Sequence, residues 1–432
     1  MGAVQAEQRR VAQDILRDLK VPLWIICSYE GSDPTFERLV GHSVVPVFLF
    51  LSPDQERVMV AGLDADNIDM QNKVVYQGRP EIEPLFIQTL QDFGFPGRAA
   101  INYSTMFDVG VDRLRAGQRD WLDRVVAENF PDAYRADATK RVAADMSIGY
   151  KVQRNPREVL FSAEGILYAL YDRKTPDQLA KMRVAARRAQ EILETAFSTV
   201  RPGMTDFEAR DLVQRITTET KPDYFAETGV VSETFAWEKD MCPIVLTGET
   251  FAKGGHAMSC GAVIEPGNTL YFDFGVKLTF QDGTHWSSDL QRVGYVLREG
   301  EITAPPEVHH LFGVLYASVQ AGIAALRPGA KGWEVDAAAR KVITDAGYPS
   351  YNHSTGHPIG EEAHNPGTLI GVRQHPGKTE SLTVQPNGVY TIEPRIQIMN
   401  GVSIEEDVWV NPNGPNEPLC KPQTELYLVG QK

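Results

Sequence analysis

Five acidic and imidazole side chains in the second half of the chain have the types and local settings expected of metal ligands. They are Asp273, Asp289, His357, Glu393 and Glu405. Carboxylate oxygens with one imidazole suit two divalent cations that share bridging carboxylates and a hydroxide. Because such a centre activates water, this set predicts a metal-dependent hydrolase.

The two aspartates lie in residues 271–296, where alternating apolar and polar residues predict a β-hairpin. Asp273 and Asp289 would then lie on adjacent antiparallel strands. A carboxylate inside an apolar strand is costly unless it is paired or bound to a cation. The alternative for Asp289 is a structural ion pair with Arg292.

The two glutamates lie in residues 389–410, which predict a second hairpin. If Glu393 faces Glu405 across this hairpin, Arg395 must pair with Ser403. Two inward carboxylates repel each other unless a cation lies between them. The alternative is that both glutamates face solvent.

One loop carries three histidines, His353, His357 and His364, and His357 is the predicted metal ligand. Gly356 and Gly360 flank it and would allow the backbone to approach a ligand closely. The spacing could bring all three imidazoles to one pocket. The alternative is a histidine-rich surface loop.

The elements that must position these residues fall into two predicted domains, residues 1–172 and 173–432. The first has an α/β pattern and no catalytic motif. Its strand-like runs are residues 22–28, 44–51 and 57–63, and residues 82–94 predict a helix.

The second domain contains a partial internal repeat. Arg201-Pro202-Gly203 and Arg327-Pro328-Gly329 each join a predicted long helix to a second helix. The first long helix should begin after Thr175, which forms a capping box with Gln178. Two related halves would leave a cleft between their sheets, and the five predicted ligands come from both halves.

The composition is that of a globular protein, with 42% apolar and 23% charged residues among 432. A net charge of −14 argues against nucleic-acid and membrane-surface partners. The densest apolar run, Val44–Leu51, is too short to span a bilayer. Four scattered cysteines and an N-terminus without an apolar signal region predict a cytoplasmic location.

Taken together, the motifs resemble those of the pita-bread metallopeptidases, in particular the Xaa-Pro group of aminopeptidase P and prolidase. The matching segments, in order, are Asp273 followed by SDLQR, then HSTGHPIGEEAH, TIEP and IEED. The resemblance implies an α+β pita-bread catalytic domain with pseudo-twofold halves, preceded by an α/β creatinase-like domain. It also implies that a metal-bridging hydroxide hydrolyses bonds preceding proline, in dipeptides or at the N-terminus of short peptides.

The resemblance also implies a role for each predicted ligand. Asp273 and Asp289 would bind one ion, Asp289 would reach the second ion with His357 and Glu393, and Glu405 would bridge both. Manganese is the expected metal, and cobalt, zinc or iron would also fit these donors. A homodimer is expected on the same basis.

Three further histidines receive roles from the resemblance. His256 and His364 would stabilise the tetrahedral intermediate, and His353 would contact the substrate. Glu393 would also handle the proton of the nucleophilic water.

The chain departs from the family pattern at three places. Asp273 and Asp289 are further apart than usual, and Trp286 replaces a tyrosine. Ser403 replaces the arginine that precedes the last glutamate, while Arg395 replaces a glycine after TIEP. We expect that Arg395, on the opposite strand of the hairpin, takes over the role of the missing arginine near the substrate carboxylate or the metals. We also expect Trp286 to contact the substrate.

Two other functions remain open at this point. The departures leave room for a different reaction on the same scaffold, such as a lyase that acts on a small sulfonium or carboxylate substrate. A non-catalytic binding module is the second alternative, although such relatives usually lose ligands and this chain keeps all five.

Overall fold

The structure is a computed structural model that describes residues 2–105, 108, 110–135, 159–253, 258–375 and 377–430. The chain divides into two compact units, Met1–Tyr171 and Asp172–Lys432. Each unit has a hydrophobic core of its own.

The first unit is built around a mixed six-stranded sheet. Its central strands are buried along their whole length, because they are continuous apolar runs covered on both faces. In order across the sheet, the strands are Lys73–Tyr76, Glu56–Ala61, Val47–Leu51, Trp24–Ser28, Ala99–Ile101 and Leu160–Ser162. The three strands predicted from the sequence are confirmed and are neighbours.

Six α-helices of the described residues precede, separate or follow these strands in the chain. They are Gly2–Asp18, Pro34–Leu39, Ile82–Asp92, Ala116–Asn129, Pro131–Arg135 and Glu164–Asp172. The helix predicted at residues 82–94 is therefore confirmed.

The second unit contains two matched pairs of helices. They are Pro176–Thr199 with Asp206–Glu219, and Pro306–Ala325 with Gly332–Asp345. The first begins as predicted, with Gln178 Oε1 accepting from the backbone N–H of Thr175 at 3.0 Å. Two short helices, Tyr224–Thr228 and Lys378–Ser381, complete the described set.

The turns inside the two pairs share their backbone geometry. Gly203 and Gly329 have φ of 92° and 87°, a left-handed region that favours glycine. Two residues after each glycine the chain forms an isolated β-bridge. Thr205 pairs with Val263 in the first half, and Lys331 pairs with Thr383 in the second. These correspondences support the predicted duplication.

Four small sheets carry the rest of the second unit. One contains Tyr427–Val429, Leu290–Val296, Thr269–Phe274 and Ile244–Thr247; a second contains His285–Ser287, Val276–Phe280 and Val230–Phe235; a third contains Val389–Ile392, Glu406–Trp409 and Glu417–Pro418; and the fourth pairs Arg395–Ile396 with Val402–Ser403. Of the five predicted ligands, Asp273 lies in a strand of the first sheet. Asp289, Glu393 and Glu405 each lie directly next to the end of a strand in the first or third sheet.

Within the described part of the chain, the helix Pro306–Ala325 alone is long and apolar enough, by length and composition, to cross a membrane. It packs against Gly332–Asp345. Its side chains Leu315 and Val319 are buried in the core of the second half.

Candidate metal centre

The two aspartates reach one face of a sheet through strand pairing. Asp273 lies directly opposite Gln291 on the antiparallel strand, and Asp289 lies two residues before Gln291. Because side chains alternate along a strand, Asp273, Gln291 and Asp289 point to the same face. The backbone N–H of Asp289 donates to Asp407 Oδ2 at 3.1 Å, which fixes this end of the strand.

The two glutamates follow the predicted register of the second hairpin. Ile392 pairs with Glu406, and Arg395 pairs with Ser403, as the facing of Glu393 and Glu405 required. Glu405 also forms a bridge to Gln291, which connects the two hairpins.

His357 is placed by backbone pairing between its loop and the strand that precedes Glu393. The N–H of Thr391 donates to the carbonyl of His357 at 2.9 Å, and the N–H of Glu393 donates to that of Thr355 at 2.7 Å. A Cβ at Gly356 would lie 1.9 Å from the Thr391 carbonyl oxygen. The glycine therefore permits strand contact, and not the ligand approach predicted from the sequence.

Gly360 has a similar packing role. A Cβ there would lie 2.3 Å from Nδ2 of Asn365, so the prediction of ligand approach is also corrected at this glycine.

These elements bring all five predicted ligands together. His357 Nε2 lies 3.8 Å from Asp289 Oδ2, 3.8 Å from Glu393 Oε1 and 3.7 Å from Glu405 Oε1. Ligand atoms lie within 4.8 Å of one another in three groups: Asp273, Asp289 and Glu405; His357, Glu393 and Glu405; and Asp289, His357 and His364.

The electrostatics of this cluster are unfavourable for the protein alone. Asp289 Oδ1 and Glu405 Oε1 are buried and have no hydrogen-bond donor among the described residues. Burial raises the pKa of both carboxyls well above their usual range, and neighbouring carboxylates raise it further. Burial, with Asp273 adding to it, raises the pKa of Glu393 to about 8. Burial lowers the pKa of His357 to about 3, so its imidazole is neutral and able to bind a metal.

The cluster therefore fits divalent cations. Buried carboxylate oxygens without donors require a positive partner, and a neutral imidazole completes a set of hard ligands. The alternative that Glu393 and Glu405 face solvent is wrong, because both lie in the cluster and Glu405 is 1% exposed.

Gln291 is a residue of the centre that the sequence did not reveal. Its Nε2 donates to Glu393 Oε2 at 2.9 Å and approaches Asp273 Oδ2 at 3.4 Å, while its Oε1 accepts from the hydroxyl of Ser403 at 2.6 Å. One carboxamide thus orients two predicted ligands from opposite hairpins. Its position opposite Asp273 was the available signal, since it follows from the strand register.

The alternative ion pair between Asp289 and Arg292 is also wrong. Arg292 Nη2 donates to Glu406 at 3.0 Å, in a fully buried pair. Arg292 and Asp289 differ by an odd number of positions, so alternation sends their side chains to opposite faces.

Of the three histidines predicted to assist the metal centre, two lie near the cluster. The His364 ring lies beside His357, with centroids 4.2 Å apart. The side chain of His353 lines a cavity that Asp273 and Glu393 also line, and its Nδ1 hydrogen-bonds the carbonyl of Ser354 at 2.7 Å. His256 lies outside the described residues.

Trp286 requires a correction. It is 1% exposed and packs in the core of the first half, with its indole Nε1 donating to Thr284 at 3.3 Å. It is not among the residues that line the cavity of the centre. A side chain enclosed in this way cannot make the predicted substrate contact.

A cavity of about 400 Å³ opens onto the cluster. All five predicted ligands line it, together with the apolar side chains Trp237, Ile244 and Leu369. Arg395 also lines it, from a strand position directly opposite Ser403. This volume is in the range of small-molecule sites and matches a short peptide better than a folded protein.

Comparison with known sequences assigns the second unit to a family. The family model of metallopeptidase family M24 matches residues 180–412, more than half of the chain. The chain is 32% identical over 264 residues to an Xaa-Pro dipeptidase of Lactobacillus delbrueckii subsp. lactis, covering 60% of this chain and 62% of that protein. It is 27% identical over 260 residues to an uncharacterised peptidase of Bacillus subtilis, covering 59% and 64%. The matches thus span less than two thirds of either relative.

Comparison with solved structures shows the fold. An Xaa-Pro dipeptidase from Bacillus anthracis has a TM-score of 0.61 at 20% identity, covering 98% of this chain and 100% of that one. An X-Pro aminopeptidase from Thermotoga maritima has a TM-score of 0.60 at 19% identity, covering 96% and 100%. The predicted pita-bread fold is therefore confirmed.

Proposed function

This chain belongs to metallopeptidase family M24, and we propose that it hydrolyses peptide bonds that precede proline, using two divalent cations. The observation that carries the proposal is the convergence of five ligands from two hairpins and one loop. Two of their buried oxygens, Asp289 Oδ1 and Glu405 Oε1, lack donors among the described residues, and the cluster opens onto a cavity of about 400 Å³.

All five residues of the cluster would bind cations, and Glu393 would also transfer a proton. Asp273, Asp289, His357 and Glu405 would hold the cations together with Glu393. Two cations held there supply a Lewis acid for the scissile carbonyl and lower the pKa of an attacking water.

Glu393 is the best-placed residue to move a proton. Gln291 holds its Oε2, while its Oε1 lies on the side of His357. This free oxygen can accept the proton of the attacking water and pass it to the leaving nitrogen.

Two histidines would contact the substrate. His364 lies beside the cluster and would donate to the oxygen on which negative charge develops. The His353 Nδ1 bonds a carbonyl and therefore carries the ring proton, which leaves Nε2 as an acceptor. That Nε2 is buried without a described partner and would accept a substrate N–H.

Relatives support the preference for proline. Two Lactobacillus proteins that resemble this chain are Xaa-Pro dipeptidases. Manganese, a homodimer and a cytoplasmic location are further parts of the proposal. Metal analysis of the purified protein, light scattering and cell fractionation would test them in turn.

Hydrolysis of Ala-Pro and of Ala-Ala, with Mn²⁺ or with a chelator, tests the reaction. We expect metal-dependent release of proline from Ala-Pro and much slower cleavage of Ala-Ala. Glu393→Gln should reduce turnover by about 1,000-fold, because it removes the proton acceptor. Metal-loaded protein that cleaves neither peptide would overturn the proposal, and an alkene product from another substrate would favour a lyase.

A further inference from the structure

The first unit contains a second cavity, of about 660 Å³, which is larger than the cavity at the metal centre. Every residue of its wall belongs to Met1–Tyr171, so none of the five metal ligands contributes to it. The wall lies where the strand Trp24–Ser28 ends and where the strand Val47–Leu51 and the helices Ile82–Asp92 and Ala116–Asn129 begin. This volume is in the range of sites for small organic molecules. The proposed hydrolysis leaves the cavity without a role.

The inner wall of this cavity is apolar and rigid. Phe48 and Trp121 both line it, with ring centres 5.6 Å apart. Both pack edge to face on the buried ring of Phe86, which lies outside the wall, at 5.2 Å and 5.1 Å. Pro46 and Ile82 extend the apolar surface. Three rings packed in this way hold the wall in place, and a flat apolar body can be buried against them.

The single carboxylate of the wall, Glu83, is already neutralised. Its Oε2 accepts from Arg124 Nη2 at 2.6 Å and from the Trp121 indole Nε1 at 3.2 Å. Arg124 is not part of the wall, and its charge balances that of Glu83 from outside. The wall therefore has no acidic group free to attract a cation.

A thiol on the same wall is also neutral. Burial raises the pKa of Cys27 to about 12, and its sulfur accepts a hydrogen bond from Gln118 Nε2 at 3.5 Å. The Oε1 of this carboxamide accepts from the backbone N–H of Arg115 at 2.9 Å. Because Gln118 is used within the protein, this part of the wall offers little to a strongly polar ligand such as a sugar.

Two cations of the wall have no counter-ion. Arg79 and Arg115 are exposed, and neither guanidinium has a hydrogen bond or an ion pair within the described ranges. One such arginine on a protein surface is ordinary. Here two line one apolar cavity, in a chain whose 57 acidic residues outnumber its 43 basic ones. The Tyr29 hydroxyl, on the same wall and also without a described partner, adds a neutral donor, so the wall favours an anion.

We propose that this cavity binds a small aromatic acid, whose ring system lies against Phe48 and Trp121 while its carboxylate pairs with Arg79 and Arg115. A cation would meet two uncompensated arginines, and a folded protein is too large to enter. The site shares no residue with the metal centre and does not rest on the proposed hydrolysis.

The first test uses two probes that share a ring system and differ in charge, 1-naphthaleneacetate and 1-naphthaleneacetamide. Calorimetry on the full chain would measure both dissociation constants. We expect a constant below about 1 mM for the acid, which should bind about five- to tenfold more tightly than the amide. Raising the salt from about 0.01 M to about 1 M should remove this difference, because exposed ion pairs are screened. Equal affinity for the two probes at low salt, or no binding of the acid at about 1 mM, would overturn the proposal.

Substitution of the two arginines tests the contact with the anion. In the double variant Arg79→Gln with Arg115→Gln, the acid should bind no more tightly than the amide, whose own affinity should change by less than about twofold. Arg215→Gln is the matched control, because Arg215 is an exposed arginine outside the cavity, and it should keep the full preference. A preference that survives in the double variant would contradict the assigned contact.

Gly117 provides a way to fill the cavity without disturbing its wall. It lies in a helix and lines the cavity, and a Cβ there would have no heavy atom within 4 Å. Gly117→Phe should weaken the binding of both probes by at least about tenfold, because the new ring occupies their space. Gly313→Phe, at a helical glycine that also has open space but lies outside the cavity, should bind both probes as the parent does. Unchanged binding in Gly117→Phe and in the arginine double variant would place the probes elsewhere and overturn the proposal.

Removal of the metals separates this site from the metal centre. Protein loaded with Mn²⁺ and protein treated with a chelator should bind the acid with equal affinity, since the wall contains no metal ligand. Acid binding that requires the two arginines, in a protein that cleaves no Xaa-Pro peptide, would support this inference and refute the proposed function alone. An affinity that depends on Mn²⁺ would assign the acid to the metal centre and refute the cavity site.

Discussion

Buried carboxylates occur in both units of this protein, and their surroundings differ. In the first unit, both oxygens of Asp33 are satisfied, one by the N–H of Thr35 at 2.9 Å and the other by the Asn102 amide at 2.7 Å. In the second unit, Asp289 and Glu405 each have a buried oxygen without a described donor. Burial raises the pKa of all three carboxyls, so burial alone does not separate the two kinds.

The difference shows what a functional acidic cluster looks like in this fold. Asp33 caps the helix Pro34–Leu39 and is surrounded by neutral donors, which is a structural arrangement. Asp289 and Glu405 are surrounded by other carboxylates and by a neutral imidazole. The hydrogen bonds of the first arrangement are complete within the chain, while the repulsion in the second is relieved by added positive charge.

The largest expected effect comes from removing a central ligand. Glu405→Gln should reduce Ala-Pro hydrolysis by about 1,000-fold and lower the metal content of the protein. The metal-free variant should unfold at a temperature no lower than the metal-free parent, because a buried repulsion is relieved. Elemental analysis and thermal unfolding check both points, and full metal content with normal turnover would count against the cluster.

Removing the carboxamide that orients two ligands should have a smaller effect. Gln291→Ala should weaken metal binding by about 10- to 100-fold, the range for residues that orient metal ligands. Isothermal titration with Mn²⁺ measures this change. Gln291→Glu is the matched variant, because it keeps the size but replaces a donor with another acceptor. Unaltered affinity in both variants would mean that Gln291 has no orienting role.

Mutation of the structural carboxylate, Asp33, should lower stability and leave activity unchanged, in contrast to mutation of Glu405. Asp33→Asn keeps one acceptor oxygen and places its amide N–H₂ opposite the other donor, that of Thr35 or that of Asn102, so we expect unfolding to become easier by about 2 kcal/mol. Turnover per folded molecule should stay normal. Urea unfolding together with kinetic assays would show this, and an activity loss without destabilisation would remove the distinction between the two carboxylate types.

Metal affinity should depend on pH through the protonated carboxyls. In the metal-free protein the pKa of Glu393 is raised to about 8, so near pH 7 this carboxyl must lose its proton to bind a cation. Asp289 and Glu405, whose pKa values are also raised, must lose any proton they carry as well, so affinity should rise by about tenfold or more per unit from pH 6 toward pH 8. Titrations in two buffers of different ionisation enthalpy would reveal the released protons, whereas a flat profile would contradict the raised pKa.

The smallest effect is expected at Trp286. Because it packs in the core and does not line the cavity, Trp286→Phe should lower stability by about 1 kcal/mol and leave the KM for Ala-Pro unchanged. A large change in KM with unchanged stability would restore the substrate contact that the sequence suggested.

The sequence predicted those parts of the site that follow from periodicity. Alternation placed Asp273 and Asp289 on one hairpin, and the facing of Glu393 with Glu405 required the pairing of Arg395 with Ser403, which the structure confirms. Register is readable from sequence because a shift by one residue would turn every ligand away from the cluster.

Other parts of the site depend on contacts that no local pattern encodes. The register places Gln291 opposite Asp273, but its hydrogen bond to Glu393 and its bridge to Glu405 connect it to the second hairpin, and the sequence gives no sign of that connection. Gly356 approaches the strand at Thr391, whereas the sequence suggested only a ligand. Trp286 occupies a position that suggested substrate contact, yet its side chain turns to the core, where a large aromatic surface is removed from water.

The most direct test of the central claim is a titration of metal-free protein with Mn²⁺ while release of proline from Ala-Pro is followed. We expect no activity without metal and a rise that reaches its plateau at about two equivalents per chain, as two shared cations require. Full activity in the presence of a strong chelator, or no proline at any metal loading, would contradict the assignment of this carboxylate cluster as the catalytic centre.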